Sequence, residues 1–208
     1  MTDKSSYWNR VYATKGEAEV SWFQNNPEPS LEFIRRYVPD RSASIIDIGG
    51  GLSRLADHLL ADGFQNLSVL DISSEAIALA QDRIGNGKAS VKWIVSDVTK
   101  WQPNDHYDIW HDRAVFHFLT EFGDQTAYIE TLKRALKSGG YLVMGTFALD
   151  GPEKCSGLPV MRHDPNSLQN LLGSDFNLID TRTQNHRTPF QSIQHFQYCV
   201  FHYIKEIC

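Results

Sequence analysis

Ile45-Ile46-Asp47-Ile48-Gly49-Gly50-Gly51-Leu52-Ser53-Arg54 carries an apolar strand into three glycines and on toward an amphipathic helix, and Asp71 closes the next apolar run. Strand, glycine turn and helix in that order form the βα turn of a Rossmann-like sheet, where absent side chains let a ligand touch backbone. Asp71 stands 20 residues past Gly51, at the expected end of the second strand. A carboxylate there can accept both hydroxyls of a ribose. The stretch therefore predicts a site for a nucleoside-bearing cofactor.

Two cofactor classes fit it poorly. The dinucleotide fingerprint G-x-G-x-x-G uses its third glycine for close helix-to-strand packing, and Arg54 occupies that position. This weighs against an NAD-dependent oxidoreductase, which stays open as a competing reading beside a non-catalytic Rossmann-like binding module. No G-x-x-x-x-G-K-[ST] occurs anywhere, so a P-loop nucleotidase is not indicated.

Outward from the glycines, strands alternate with helices, the pattern of a sheet covered on both faces. Strands are expected at Ser44 to Ile48, Leu67 to Leu70, Val91 to Val95, Asp108 to His111 and Tyr141 to Phe147. Phe176 to Thr181 with Phe196 to Ile204 forms a terminal antiparallel pair. The fold class is α/β: a Rossmann-like, doubly wound, seven-stranded sheet, mostly parallel. Leu52, Leu55, Ala56, Leu59 and Leu60 stripe the first sheet helix, with Gly63 as its left-handed end. Ser73 or Ser74 caps the next, which carries Ile77, Ala80 and Ile84 at helical spacing. A later helix opens at Asp124 and stops at Gly139-Gly140.

At 208 residues, with 41% hydrophobic and 22% charged residues, the chain reads as one globular domain over 1–208. Residues 1–40 form a helical cover, with helices around Trp8 to Tyr12 and Ser30 to Val38, and 41–208 form the core. The net charge of −5 gives no broad footprint for nucleic acid or an anionic membrane. Cys155, Cys199 and Cys208 are widely spaced with no C-x-x-C pair, which implies reduced thiols and a cytoplasmic address. No apolar stretch reaches membrane-spanning length and no signal-peptide core is visible. No histidine pair has metal-ligand spacing such as H-E-x-x-H, so no metal is expected.

An acid two positions before the glycines, then G-x-G-x-Ser, then an acid ending strand two resembles the first two motifs of the class I S-adenosylmethionine-dependent methyltransferases. The resemblance implies S-adenosyl-L-methionine as cofactor. It implies that Gly49, Gly50 and Gly51 pack on its methionine part, that Asp47 lies near its amino group, and that Asp71, with Ile72 beside it, holds the ribose. Ser53 replaces the family's usual last glycine. Asp97, ending strand three, is placed to accept from the adenine amine while Val98 offers a backbone N–H; the bland alternative for Asp97 is a turn cap.

Strand four ends in His111-Asp112-Arg113, followed by Ala114-Val115-Phe116-His117-Phe118. Trp110 to Arg113 resembles the W-D-R run of thiopurine-type methyltransferases with one residue inserted. That likeness puts Arg113 near the cofactor carboxylate or an anionic substrate, and Asp112 near the transferring methyl; a surface Asp-Arg pair is the alternative. His117 is a candidate general base, although a histidine between phenylalanines is more often core. Tyr12 and Trp22 are placed to close over the sulfonium, which an aromatic face attracts, while Trp8, one turn from Tyr12, is assigned to core packing. Asp150 to Pro159 is too rich in glycine and proline for a regular element and sits at the rim of the site. It exposes Cys155, a candidate substrate contact with His186; His163 has a weaker case. The acceptor is read as a small-molecule heteroatom (S, N, O or metalloid), with a protein lysine as the alternative, and the assembly as a monomer or weak dimer.

Overall fold

A computed structural model describes residues 4–205; Cys208 lies outside them. Helix α1 (Lys4–Thr14) and α2 (Ser30–Tyr37) precede the sheet. The core then runs β1 (Ser44–Ile48), α3 (Leu55–Ala61), β2 (Asn66–Asp71), α4 (Ser74–Ile84), β3 (Val91–Val95), β4 (Tyr107–Arg113), α5 (Phe122–Ala135) and β5 (Leu136–Phe147). A small antiparallel hairpin, β6 (Lys154–Cys155) and β7 (Leu158–Pro159), follows, then α6 (Pro165–Leu172), β8 (Phe176–Arg187) and β9 (Ile193–Tyr203).

The seven-stranded sheet has the order β3-β2-β1-β4-β5-β9-β8. Its first five strands are parallel; β9 runs antiparallel to β5, and β8 antiparallel to β9. Chain order reverses between β1 and β4, so the crevice at their carboxyl ends is the topological switch point where open α/β sheets bind ligands. Buried side chains fill both faces. Ile45, Ile109, Val143 and Val200 point into one layer with Phe33, Ile34 and Leu55. Ile46, Trp110, Leu142 and Phe201 point into the other with Tyr128 and Leu132. This alternation along each strand is the period-two pattern of a sheet buried on both sides.

Local chemistry sets the element ends. Ser73 caps α4, its hydroxyl accepting from the Ala76 N–H at 3.1 Å. Gly63, at φ +89°, follows the end of α3, as its position predicts. Three readings shift. Helix α3 starts at Leu55 rather than Leu52, because Gly50 to Ser53 form a turn closed by the Ser53 N–H on the Gly50 carbonyl at 2.7 Å. Strand β5 begins at Leu136, directly after α5, so Gly139 and Gly140 lie within a strand. The segment 150–159 contains the β6–β7 hairpin, which folds inward and leaves Cys155 only 4% exposed. Among the described residues no helix is long and apolar enough to cross a membrane, and no group of three metal-ligating side chains converges.

Candidate functional site

A cavity of about 310 Å³ opens at the carboxyl ends of β1, β2, β3 and β4, under α1 and beside the β6–β7 hairpin. Its floor is the turn after β1. Gly49 sits at φ +65°, and a Cβ there would come within 2.1 Å of Val115 Cγ2. A Cβ on Gly50 would meet Asp47 Oδ2 at 2.4 Å, and one on Gly51 would meet Asp71 Oδ2 at 2.5 Å. The three glycines thus have separate causes: a left-handed backbone at the first, and carboxylates drawn up against the turn at the others. Arg83, on α4, fixes the same loop by donating to the Leu52 and Ser53 carbonyls at 3.1 and 2.8 Å.

Arg54, the bulky residue at the third fingerprint position, points away from the floor. It forms a two-pronged ion pair with Glu17 at 2.6 and 2.9 Å and donates to Asn25. This pairing holds the Glu17 carboxyl below its usual range. Arg54 therefore ties the N-terminal cover to the glycine turn.

Asp71 ends β2 against the cavity, 5% exposed. Burial pushes its pKa up to about 7, against hydrogen bonds from backbone N–H groups such as that of Ser73 at 2.8 Å. Ile72, Asp97 and Val98 line the same wall. Asp97 Oδ1 accepts from the Thr99 N–H and hydroxyl at 3.0 and 2.7 Å, a turn-cap bond, while its Oδ2 lies 3.9 Å from the exposed Lys100 Nζ. One carboxylate thus closes its own turn and still borders the cavity.

A second cavity of about 50 Å³ adjoins the first and shares Tyr12, Trp22, Ile48, Gly49 and Arg113 with it. Asp47 and Gly50 face this smaller space. Two polar atoms there are buried without partners: Asp47 Oδ2 and Arg113 Nη2. The rest of Arg113 is fixed, by Nε on the Tyr198 hydroxyl at 2.9 Å, by Nη1 on the Trp22 carbonyl at 2.9 Å, and by stacking on Phe196. An unpartnered acceptor and an unpartnered donor beside one cavity suit a zwitterion, whose ammonium and carboxylate would satisfy both.

Other expected residues fall outside the cavity wall. Asp112 is fully buried, and its oxygens accept from the Tyr128 hydroxyl at 2.6 Å and the Val115 and Phe116 N–H groups at 2.8 and 3.1 Å. Burial raises its pKa to about 6. It organises the turn after β4, where Ala114 is held at φ +73°, a conformation that costs a residue with a Cβ about 1–2 kcal/mol. His117 is also fully buried, packed on Phe118 and Phe147, with neither ring nitrogen hydrogen-bonded. Burial drives its pKa down to about 3. His186 spends Nε2 on the Ser21 carbonyl at 2.7 Å. His163 packs on Phe116.

Tyr12, Trp22 and Cys155 do reach the cavity. Cys155 gets there from a buried position, which pushes its thiol up to about 11. Trp8, assigned to the core from its spacing, is half-buried instead and stands in the cavity wall, edge-on to Trp22 and Phe118 at 5.7 and 5.2 Å. Sequence reasoning missed Phe118, Ser96, Leu158 and Pro159 in the wall. Of these only Ser96, adjoining Asp97 at a strand end, had a positional signal.

A nucleoside-sized crevice at the switch point, floored by a glycine turn and walled by acids ending two successive strands, defines a Rossmann-like cofactor-binding domain. A family model described as a methyltransferase domain matches residues 45–140. Malonyl-[acyl-carrier protein] O-methyltransferase 2 from Ilyobacter polytropus is 31% identical over 109 residues, which cover 51% of this chain and 40% of that protein. The chain therefore spans well under two thirds of that relative's length. The N-methyltransferase NodS of Bradyrhizobium japonicum, solved with S-adenosylhomocysteine, superposes with a TM-score of 0.71 at 16% identity, covering 98% of this chain and 100% of that one. The Burkholderia thailandensis 1,6-didemethyltoxoflavin-N1-methyltransferase gives 0.67 at 17% identity, covering 97% and 84%. Residues 45–140 thus match a methyltransferase domain, and the chain shares its fold with these solved methyltransferases.

Proposed function

We propose that this chain transfers a methyl group from S-adenosylmethionine to a heteroatom of a small molecule. The observation that carries the cofactor half is the pair of orphaned buried atoms, Asp47 Oδ2 and Arg113 Nη2, set beside the glycine floor that leads to Asp71. Asp47 and Arg113 would hold the amino-acid end, Asp71 the ribose, and Asp97 with Val98 the adenine. The cofactor supplies a methyl group already activated on a sulfonium. The protein's task is to align an acceptor lone pair and exclude water.

The rest of the cavity supports a small acceptor. Trp8, Trp22, Phe118, Leu158 and Pro159 give it an apolar, largely aromatic wall, the composition of a small-molecule pocket. No histidine lines it among the described residues, and its two carboxylates, Asp71 and Asp97, belong to the nucleoside wall. The Tyr12 phenol is raised well above its ordinary value and the Cys155 thiol to about 11, both by burial, so each keeps its proton at neutral pH. The acceptor must then bring its own free lone pair, as a thiolate, a ring nitrogen or a metalloid does. A lysine ammonium would need a base that this wall lacks. NodS and the toxoflavin enzyme, N-methyltransferases by name, agree with a heteroatom acceptor.

Calorimetry with S-adenosylhomocysteine and transfer of labelled methyl into a fractionated extract test the two halves separately. Absence of binding would remove the cofactor reading. Binding with label recovered only in protein would replace the small-molecule acceptor with a protein one.

A further inference from the structure

His111 lies in the middle of the sheet, 2% exposed, directly opposite Asp47 in the parallel β1–β4 register. Its Nδ1 is 2.7 Å from Asp47 Oδ1 and its Nε2 is 2.8 Å from the hydroxyl of Ser30, itself fully buried. A neutral imidazole completes both bonds: Nδ1–H donates to the carboxylate, and Nε2 accepts from the serine hydroxyl. Ser30 is the first residue of α2, and its hydroxyl is turned inward on the histidine. A chain of three buried polar groups thus runs from the N-terminal cover to the carboxylate under the glycine turn.

Apolar residues at all three places would form a simpler core, since burying polar groups costs stability even when they are paired. This chain keeps the polar set and pairs only one oxygen of Asp47. Oδ2 is left buried, unpartnered and bordering the small cavity. A carboxylate free to rotate about its terminal bond would present either oxygen to a ligand or to the turn. The bond to His111 removes that freedom.

Resting on the cofactor reading above, we propose that His111, anchored by Ser30, is a positioning residue that locks Asp47 so that Oδ2 meets the α-ammonium of the bound cofactor. His111 and Ser30 also border the small cavity; in this role they act through the Asp47 carboxylate. They act on the amino-acid end alone, and the nucleoside end should not sense them.

Two ligands separate the possibilities. S-adenosylhomocysteine carries both ends, whereas 5′-methylthioadenosine carries the nucleoside without the amino acid. For His111→Phe the dissociation constant of S-adenosylhomocysteine should rise about tenfold, the scale of one hydrogen bond to a charged group, with that of 5′-methylthioadenosine unchanged. His111→Asn keeps a donor near the Nδ1 position and should fall between wild type and His111→Phe. Ser30→Ala, which removes one oxygen and carries the test if His111→Phe does not fold, should weaken S-adenosylhomocysteine selectively by a smaller factor. Equal losses for both ligands, or none for either, overturn the positioning role. A wild-type protein that binds neither ligand overturns the cofactor reading itself.

Discussion

Acidification from pH 8 to pH 6 is expected to weaken S-adenosylhomocysteine binding about tenfold through the ionisation of Asp71. In the ligand-free protein this carboxyl titrates at about 7, because burial penalises its charged form and the nearby Asp47 carboxylate adds to the penalty. Ribose hydroxyls donating to it would favour the ionised form, so binding expels a proton and affinity falls as pH falls. At pH 8 nearly all of the free protein is ready to bind; at pH 6 about nine-tenths carries the proton, giving a loss of roughly 1.4 kcal/mol. Isothermal titration in buffers of differing ionisation enthalpy reads both the affinity and the released proton. The same slope should appear with 5′-methylthioadenosine, which lacks a titrating tail. Asp71→Asn should bind about 1.5–3 kcal/mol more weakly at pH 8 and show no slope between pH 6 and 8. The same variant should raise the melting temperature of the ligand-free protein at pH 8, because the wild-type carboxylate is buried there in its disfavoured charged form, and the gain should vanish near pH 4. A flat wild-type profile, or a slope that survives in Asp71→Asn, would refute the assignment of this carboxylate to the ribose.

Gly49→Ala places a Cβ 2.1 Å from Val115 Cγ2 at a φ of +65°; strain and overpacking together should cost about 2–4 kcal/mol in denaturant unfolding. His117 is held neutral in the folded protein with its pKa at about 3, so its contribution is present above pH 6.5 and lost as pH falls below it. His117→Leu should then recover about 2 kcal/mol relative to wild type at pH 5, read as unfolding free energy against pH. Methyl transfer lost in that variant with cofactor affinity intact would instead return His117 to the reaction. Arg54→Ala breaks the tie to Glu17 and should speed proteolysis between α1 and α2, with S-adenosylhomocysteine slowing the cleavage.

The sheet was readable because each of its parts is written locally. Four of the five short apolar runs lead into acids or glycines, and every parallel strand must then deliver its last residue to the same edge. Gly49, Asp71 and Asp97 could be placed from spacing alone, since a strand end fixes direction as well as position. Where the reading shifted, tertiary contacts decided. Cys155 looked exposed because Gly151, Pro152 and Gly157 surround it, but the hairpin that those residues permit turns it under the cover. Trp8 shares a helix face with Tyr12, as spacing implied, and that face meets a cavity wall; periodicity reports which side of a helix is apolar and says nothing about what lies opposite.

The unequal legibility of the two halves follows from how each is built. The half proposed for the cofactor uses backbone and strand ends, whose chemistry a nucleoside-bearing ligand constrains. The half proposed for the acceptor draws on α1, on the turn after β4 and on the β6–β7 hairpin, segments more than a hundred residues apart at their extremes. Trp8, Trp22 and Phe118 carry no signature for it; they are ordinary aromatic residues until the cover folds back. Yet burial in that half raises the Tyr12 phenol well above its ordinary value and the Cys155 thiol to about 11, which favours the protonated form of each at neutral pH. If methyl transfer needs no base, its rate above pH 7 should follow the ionisation of the acceptor, so that changing the acceptor's own pKa moves the profile by the same amount. An enzymatic base would hold the profile still across acceptors of different pKa. Rate profiles for two thiols of well-separated acidity therefore decide whether this wall works by approximation or by proton removal.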